Sequence, residues 1–165
     1  MKLEICPHLE NHKEVIWNLF QFYCYDTSVY DGYDVEASGF YKMSAEYFSQ
    51  YWTSPNWRAH LLHWDVKICG FALLEDSDAV AGGMEIADLF VMRRFRRFGI
   101  ASKVVEHFMA RRSVPWTVTV FEDAADAKRF WNSIFQIAHL SPTRQVPDPD
   151  GRAATAYVLE PNLAA

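Results

Sequence analysis

The sequence predicts one α/β domain over residues 1–165, of the α+β kind, with a mixed, twisted sheet of six or seven strands and flanking helices. Strand-like and helix-like patterns both persist along the whole chain. No repeat, low-complexity tract or Gly/Ser linker divides them. Half of the 165 residues are apolar and 22% are charged, enough to bury one sizeable core.

LEIC (3–6) reads as a first strand. Residues 11–25 follow a helical period, with Val15, Leu19 and Phe22 on one stripe and Ile16, Phe20 and Tyr23 beside it. The stretch 26–43, with Gly32 and Gly39 among Asp and Tyr, reads as a loop. Ser44 then caps a helix to about residue 53, in which Tyr47, Phe48, Tyr51 and Trp52 recur at helical spacing and read as core. AHLLHW (59–64), the turn DVK and ICGFALLE (68–75) make an antiparallel hairpin. MEIADLFV (84–91) is a strand, followed by an Arg-rich turn and a helix from about 99 to 112. PWTVTVF (115–121) alternates Thr117 and Thr119 against Val118 and Val120. DAADAKRFWNSIF (123–135) is a helix with Asp123 as N-cap, 144–152 is a loop, and ATAYVLE (154–160) is the last strand.

Composition excludes several classes. No apolar run approaches the roughly 18 residues of a membrane span, and the first residues carry no apolar signal core. Cys6, Cys24 and Cys69 are odd in number and widely spaced, which argues against a disulfide framework or zinc site and for a reducing, cytoplasmic setting. Cys24 and Cys69 read as buried apolar residues. His8 and His12 span a loop-to-helix junction, and His60 and His63 fall on opposite faces of a strand, so no metal is assigned. The net charge of −5 is unevenly spread. Residues 1–88 carry 14 acidic and 5 basic side chains; residues 89–165 carry 7 and 11. An acidic half suited to a cation thus precedes a basic cluster suited to an anion: Arg93, Arg94, Arg96, Arg97, Lys103, Arg111 and Arg112. Overall acidity and the absence of an aromatic-studded basic strand argue against nucleic acid as the partner.

The informative stretch is VMRRFRRFGIA (91–101), between a strand pattern and a helix pattern. Gly99 and Ala101 let the backbone approach a ligand closely. The following helix, with Ser102 and Lys103 in its first turn, aims unpaired N–H donors and a positive dipole end at that spot. Flanking guanidiniums add charge-assisted bonds. These are the parts of a diphosphate site, and they match neither a Rossmann fingerprint nor a P-loop.

Arg96-Arg97-Phe98-Gly99-Ile100-Ala101 resembles motif A, Arg/Gln-x-x-Gly-x-Gly/Ala, of the GNAT superfamily of acyl-CoA-dependent N-acetyltransferases. ADLFVMRRFRRFGIA (87–101) is similar to the same stretch of the polyamine acetyltransferases. FYCYDTSVYDGYD (22–34), FALLE (71–75) and EIADLFVMRRFRRFGIA (85–101) resemble GNAT proteins of similar length. The resemblance implies a GNAT-like fold with a splayed cleft for acetyl-CoA. Backbone amides of Phe98, Gly99, Ile100, Ala101 and Ser102 would hold the diphosphate with Arg96 and Arg97 nearby. The pantetheine arm would pair like an added strand with Leu89 and Val91 along Leu89-Phe90-Val91, where strand 84–91 parts from 115–121. The N–H of Leu89 would face the thioester oxygen.

The implied chemistry is direct acetyl transfer to a primary amine in a ternary complex. An alkyl ammonium of pKa about 10.4 is only about 0.04% neutral at pH 7, a handicap near 4.6 kcal/mol, so a base is wanted beside the thioester. Glu85 and Asp88 are the choices. By strict alternation they face opposite ways, and Glu85 shares a face with Ala87 and Leu89. Polyamine relatives carry a glutamate at position 87, here Ala87. Glu85 lies fourteen residues before the first motif glycine, where the histone acetyltransferase branch places its base. Glu85 is therefore expected as general base, directly or through water; a bulge in the strand would bring Asp88 inward instead.

The family's last motif departs from pattern. Ala124 stands where an Asn commonly meets pantetheine, and Trp131 where a Tyr often protonates the departing thiolate. Trp131 keeps a place beside the cofactor, but its indole N–H has no useful acidity. Positioning and the oxyanion contact would then carry transfer, water protonating the sulfur; the alternative is an acyl-CoA sensor of the same fold with little turnover. Tyr23, Tyr25, Asp26, Tyr30, Asp31 and Tyr33 interleave rings and carboxylates, which suits a small cationic amine through charge pairing and cation–π contact. Exposed edge strands and abundant rings leave room for a homodimer.

Overall fold

The computed structural model describes residues 2–7 and 9–162; His8 lies outside the described residues. Seven strands form one sheet: β1 (Leu3–Pro7), β2 (Arg58–Trp64), β3 (Lys67–Asp76), β4 (Met84–Val91), β5 (Trp116–Phe121), β6 (Arg144–Pro147) and β7 (Ala154–Leu159). Their order is β1-β2-β3-β4-β5-β7-β6, all neighbours antiparallel except the parallel pair β4–β5. Helices α1 (Lys13–Asp31) and α2 (Ala45–Thr53) cover one face; α3 (Ile100–Met109) and α4 (Ala125–Phe135) cover the other.

The two faces follow from the strand period of two. Leu61, Phe71, Leu73 and Phe90 pack against Ile16, Leu19, Phe48 and Tyr51 of α1 and α2. Leu74, Ile86, Val118 and Val120 pack against Val105 and Met109 of α3 and Trp131 and Ile134 of α4. The mixed sheet and the expected strand 84–91 are as the sequence predicts.

Four local expectations need correction. The helix expected over 11–25 runs to Asp31, because Thr27 and Tyr30 continue the inward stripe of Tyr23; Gly32, at φ 69°, stops it. The loop expected at 144–152 begins as β6, which finds its hydrogen bonds on β7. Asp123 is not the N-cap of α4. That position is Ala124, buried and without a side-chain bond. Finally α3 ends at Met109, and Arg112 beyond it is buried, donating to the carbonyls of Met109, His139 and Glu160.

The alternation expected along β4 also fails. Leu73 pairs with Asp88 and Leu74 with Ile86, so Ala87 is an extra residue without a partner on β3. This bulge shifts the face count by one. Glu85, opposite Glu75, and Asp88, opposite Leu73, both lie on the α1/α2 face, while Leu89, opposite Ala72, turns to the other. Glu85 does not share its face with Leu89.

Candidate active site

Strands β4 and β5 hold only two pairs, Met84–Trp116 and Glu85–Thr117. Beyond Glu85 they part, and the gap is a cleft of about 300 Å³ between Ile86, Ala87, Leu89 and Val91 on one side and Val118, Thr119 and Val120 on the other. The amide of Met92 bonds to the Cys69 carbonyl on β3. Antiparallel alternation therefore turns the backbone groups of Phe90 toward β3 and those of Leu89 and Val91 into the cleft. The Val91 carbonyl already accepts from Arg96 Nε at 2.8 Å. The Phe90 ring is buried beside Phe71, away from the gap.

At its wide end the cleft joins a second cavity of about 580 Å³ lined by Arg96, Arg97, Gly99, Ile100, Ala101, Ser102 and Arg129. Here α3 begins at Gly99, φ 72°, with no side-chain cap. The amides of Ile100, Ala101 and Ser102 have no carbonyl four residues back within the helix. A Cβ built on Gly99 meets nothing within 4 Å, so the approach to those amides is open. The preceding Arg97 is also left-handed, φ 70°. Open amides, a positive helix end and arginines fit a diphosphate, and the narrow cleft beyond fits an extended arm. Phe98 is half exposed and stacks on Trp64 at 6.2 Å. Trp131 and Ala124 line the cleft; the indole packs on Phe130 and Phe135.

Across the sheet lie the carboxylates. Glu85 is clasped by two hydroxyls of β5, Thr117 Oγ1 at 3.1 Å and Thr119 Oγ1 at 2.8 Å. These donors favour its charged form, but burial outweighs them and raises its pKa. Thr117 Oγ1 also lies 2.7 Å from Ser77 Oγ. Burial lifts Asp88 to about 6, although the nearby Tyr23 hydroxyl favours its charged form. Glu75 accepts from Tyr47, 2.9 Å to each oxygen, and from Tyr51; burial raises it to about 8, and Asp88 and Glu85 push it the same way. Asp88 opens onto a cavity of about 180 Å³ with Cys24, Tyr33, Tyr47, Tyr51 and Leu73.

The acceptor-side residues expected from sequence divide. Tyr23 and Tyr30 line the β4–β5 cleft. Tyr30, Asp31 and Tyr33 line a cavity of about 250 Å³ with Arg152, and burial raises Asp31. Tyr25 is 64% exposed, on the outer side of α1. Asp26 faces the arginine turn, accepting from Arg93 Nε at 3.1 Å, Arg93 Nη2 at 2.7 Å and Arg96 Nη2. Sequence reasoning passed over Glu75, Thr117, Thr119 and Arg152. The only available signals were a carboxylate ending the apolar run of β3 and threonines alternating on β5. Arg152, from the β6–β7 loop, is held by Asp148 at 2.7 and 2.9 Å. Among the described residues no cluster could hold a metal ion, and no helix is long and apolar enough to cross a membrane.

No curated protein matches the sequence. Solved structures do. An acetyltransferase from Thermus thermophilus superposes with TM-score 0.71 at 17% identity over 98% of each chain. The ribosomal-protein-S18-alanine N-acetyltransferase of Escherichia coli gives 0.61 at 14% identity, over 99% of this chain and 96% of that one. A GNAT family acetyltransferase from Elizabethkingia anophelis with acetyl-CoA bound gives 0.57 at 14%, over 96% and 97%. At these identities the likeness shows the fold. The model of the Acetyltransferase (GNAT) family matches residues 22–135, more than two thirds of the chain, and the chain belongs to that family.

Proposed function

We propose that the protein moves an acetyl group from acetyl-CoA to the primary amine of a small cationic acceptor, by direct attack in a ternary complex. The observation that carries this reading is the end of β4–β5 pairing at Glu85, which opens a cleft from the uncapped start of α3, between the parted strands, to Tyr23 and Tyr30 of α1. When bound, acetyl-CoA supplies the thioester electrophile. The first-turn amides of α3 and Arg97 hold the diphosphate, and the inward groups of Leu89 and Val91 pair with the arm. The Leu89 N–H faces the thioester oxygen, where a fixed donor counts most as charge develops.

An ammonium sheds one proton before attack and a second as the new N–C bond forms. Glu85 takes the first. Its bond to Thr117, and that of Thr117 to Ser77, give the proton a hydroxyl path toward the rim. Asp88 takes the second. The bulge at Ala87 turns it to the acceptor side, and a value near 6 suits a base working at neutral pH. Tyr23, Tyr30 and Tyr33 supply faces for the cation.

Calorimetry with acetyl-CoA and thiol release with a panel of small primary amines test the reading. Binding, turnover, and a kcat at least tenfold lower in Asp88→Asn are expected; kcat/KM should climb with pH through about 6 as Asp88 ionises. Absence of heat with acetyl-CoA overturns the assignment. Heat without thiol release for any amine supports the sensor reading, which the buried, non-acidic Trp131 favours. A change below threefold in Glu85→Gln removes Glu85 from proton transfer.

A further inference from the structure

Carboxylates and rings are what a pocket for a polyamine needs. The cavity of about 250 Å³ beside the cleft has them in Asp31, Asp123, Tyr30, Tyr33 and Phe121, but it also holds the guanidinium of Arg152. We infer that Arg152 reads a carboxylate on the acceptor, so that the amine to be acetylated belongs to an amino acid rather than to a diamine or polyamine. The inference rests on the proposed acetyl-CoA reading and deepens it by naming the acceptor class.

Arg152 is fixed in the cavity wall. One edge of its guanidinium is occupied by Asp148, with Nε donating at 2.9 Å and Nη2 at 2.7 Å; the Arg152 amide donates to the same carboxylate at 3.0 Å. The Asp148 side chain is completely buried and so makes a firm anchor. Asp150 lies 3.3 Å from Nη2, and the guanidinium carbon sits over the Phe121 ring, 5.4 Å from its centroid. Nη1 bonds to nothing among the described residues, while the side chain as a whole is half exposed. The two N–H groups of Nη1 are thus open to an acceptor oxygen, and a carboxylate there gains charge-assisted bonds.

The cavity and the β4–β5 cleft share two walls, Tyr30 and Phe121, whose ring centroids are 5.8 Å apart. An acceptor anchored at Arg152 can lay its chain across that pair and bring its amine to the cleft. Asp31 and Asp123 line the same cavity as Arg152, so an ammonium beside the carboxylate also finds an opposite charge. A diamine brings a second cation to that place instead, where it meets the guanidinium; the arginine thus rejects one acceptor as it selects the other.

Matched pairs that differ only in the carboxylate test this: lysine against cadaverine, and γ-aminobutyrate against propylamine. Each is titrated calorimetrically into the protein saturated with CoA, and each is assayed for thiol release with acetyl-CoA. In wild type the acid of each pair should bind about tenfold more tightly than its partner, the worth of a hydrogen-bonded charge, with kcat/KM following. In Arg152→Gln the affinity for lysine should fall about tenfold, while that for cadaverine rises because a like charge has gone. If Arg152 only braces its loop, the substitution weakens both alike, and that result overturns the inference. Absence of an acid advantage in wild type overturns it too, without recourse to any variant; thiol release with the plain amines would then leave the acetyl-CoA reading standing. Failure of wild type to bind CoA overturns both.

Discussion

Glu75 shows how strongly a residue's surroundings set its state. Two tyrosine hydroxyls donate to it, yet burial and the nearby charges of Asp88 and Glu85 leave it near 8, against 4.5 for an unperturbed glutamate. The folded protein therefore holds this proton more tightly than the unfolded chain. The stabilisation is full below about 4.5 and is lost as pH rises to about 8. Glu75→Gln, which cannot ionise, should gain thermal stability relative to wild type across that window, with the gain levelling off above it. Unfolding curves at several pH values check this, and a pH-independent difference would contradict it. Little of this was visible in the sequence, where Glu75 is one carboxylate at the end of an apolar run. Asp26 and Tyr25 are the reverse case: composition grouped them with the amine pocket, but helix phase sends Tyr25 to solvent and Asp26 to the arginines.

At the scale of elements, β4 does most to build the site, and its geometry depends on two small residues. Ala87 is the extra residue that brings Asp88 round to the face of Glu85. Gly70 on β3, opposite Val91, allows the strands to close at the cofactor end: a Cβ there would lie 1.9 Å from the Phe90 carbonyl oxygen and 3.1 Å from the Val91 Cα. Both contacts are backbone, so neither can step aside. Gly70→Ala should destabilise by roughly 2–3 kcal/mol in chemical denaturation and shift the cleft-facing groups of Leu89 and Val91. A loss below about 0.5 kcal/mol would show that β4 has more room than its packing implies.

At the scale of the molecule, α1 would join the two halves of the proposed reaction. It carries Tyr23, Tyr30 and Asp31 to the linings of the cleft and its neighbouring cavity, and through Asp26 it is tied to Arg93 and Arg96 of the arginine turn. Arg96 also bonds the last β4 carbonyl, so strand, turn and helix meet at one carboxylate. Asp26→Ala should cost about 1 kcal/mol of stability, as for a partly exposed ion pair, and weaken CoA binding about fivefold by loosening the turn. Calorimetry decides: tighter binding would mean that Asp26 merely competes with phosphate for the arginines.

By itself the sequence determined what is local: the strand periods, the Ser44 cap that the Tyr47 amide uses, and the strand–arginine–glycine–helix order at residues 84–109. Those signals lie in neighbouring residues and survive without knowledge of partners. The bulge at Ala87, the reach of α1 to Asp31, the pairing of β6, and the convergence of Tyr23 with Asp88 were decided only in three dimensions. Each depends on which distant backbone or side chain supplies the missing bond, and a one-residue slip in register, which no single strand reveals, exchanges the faces of every residue beyond it.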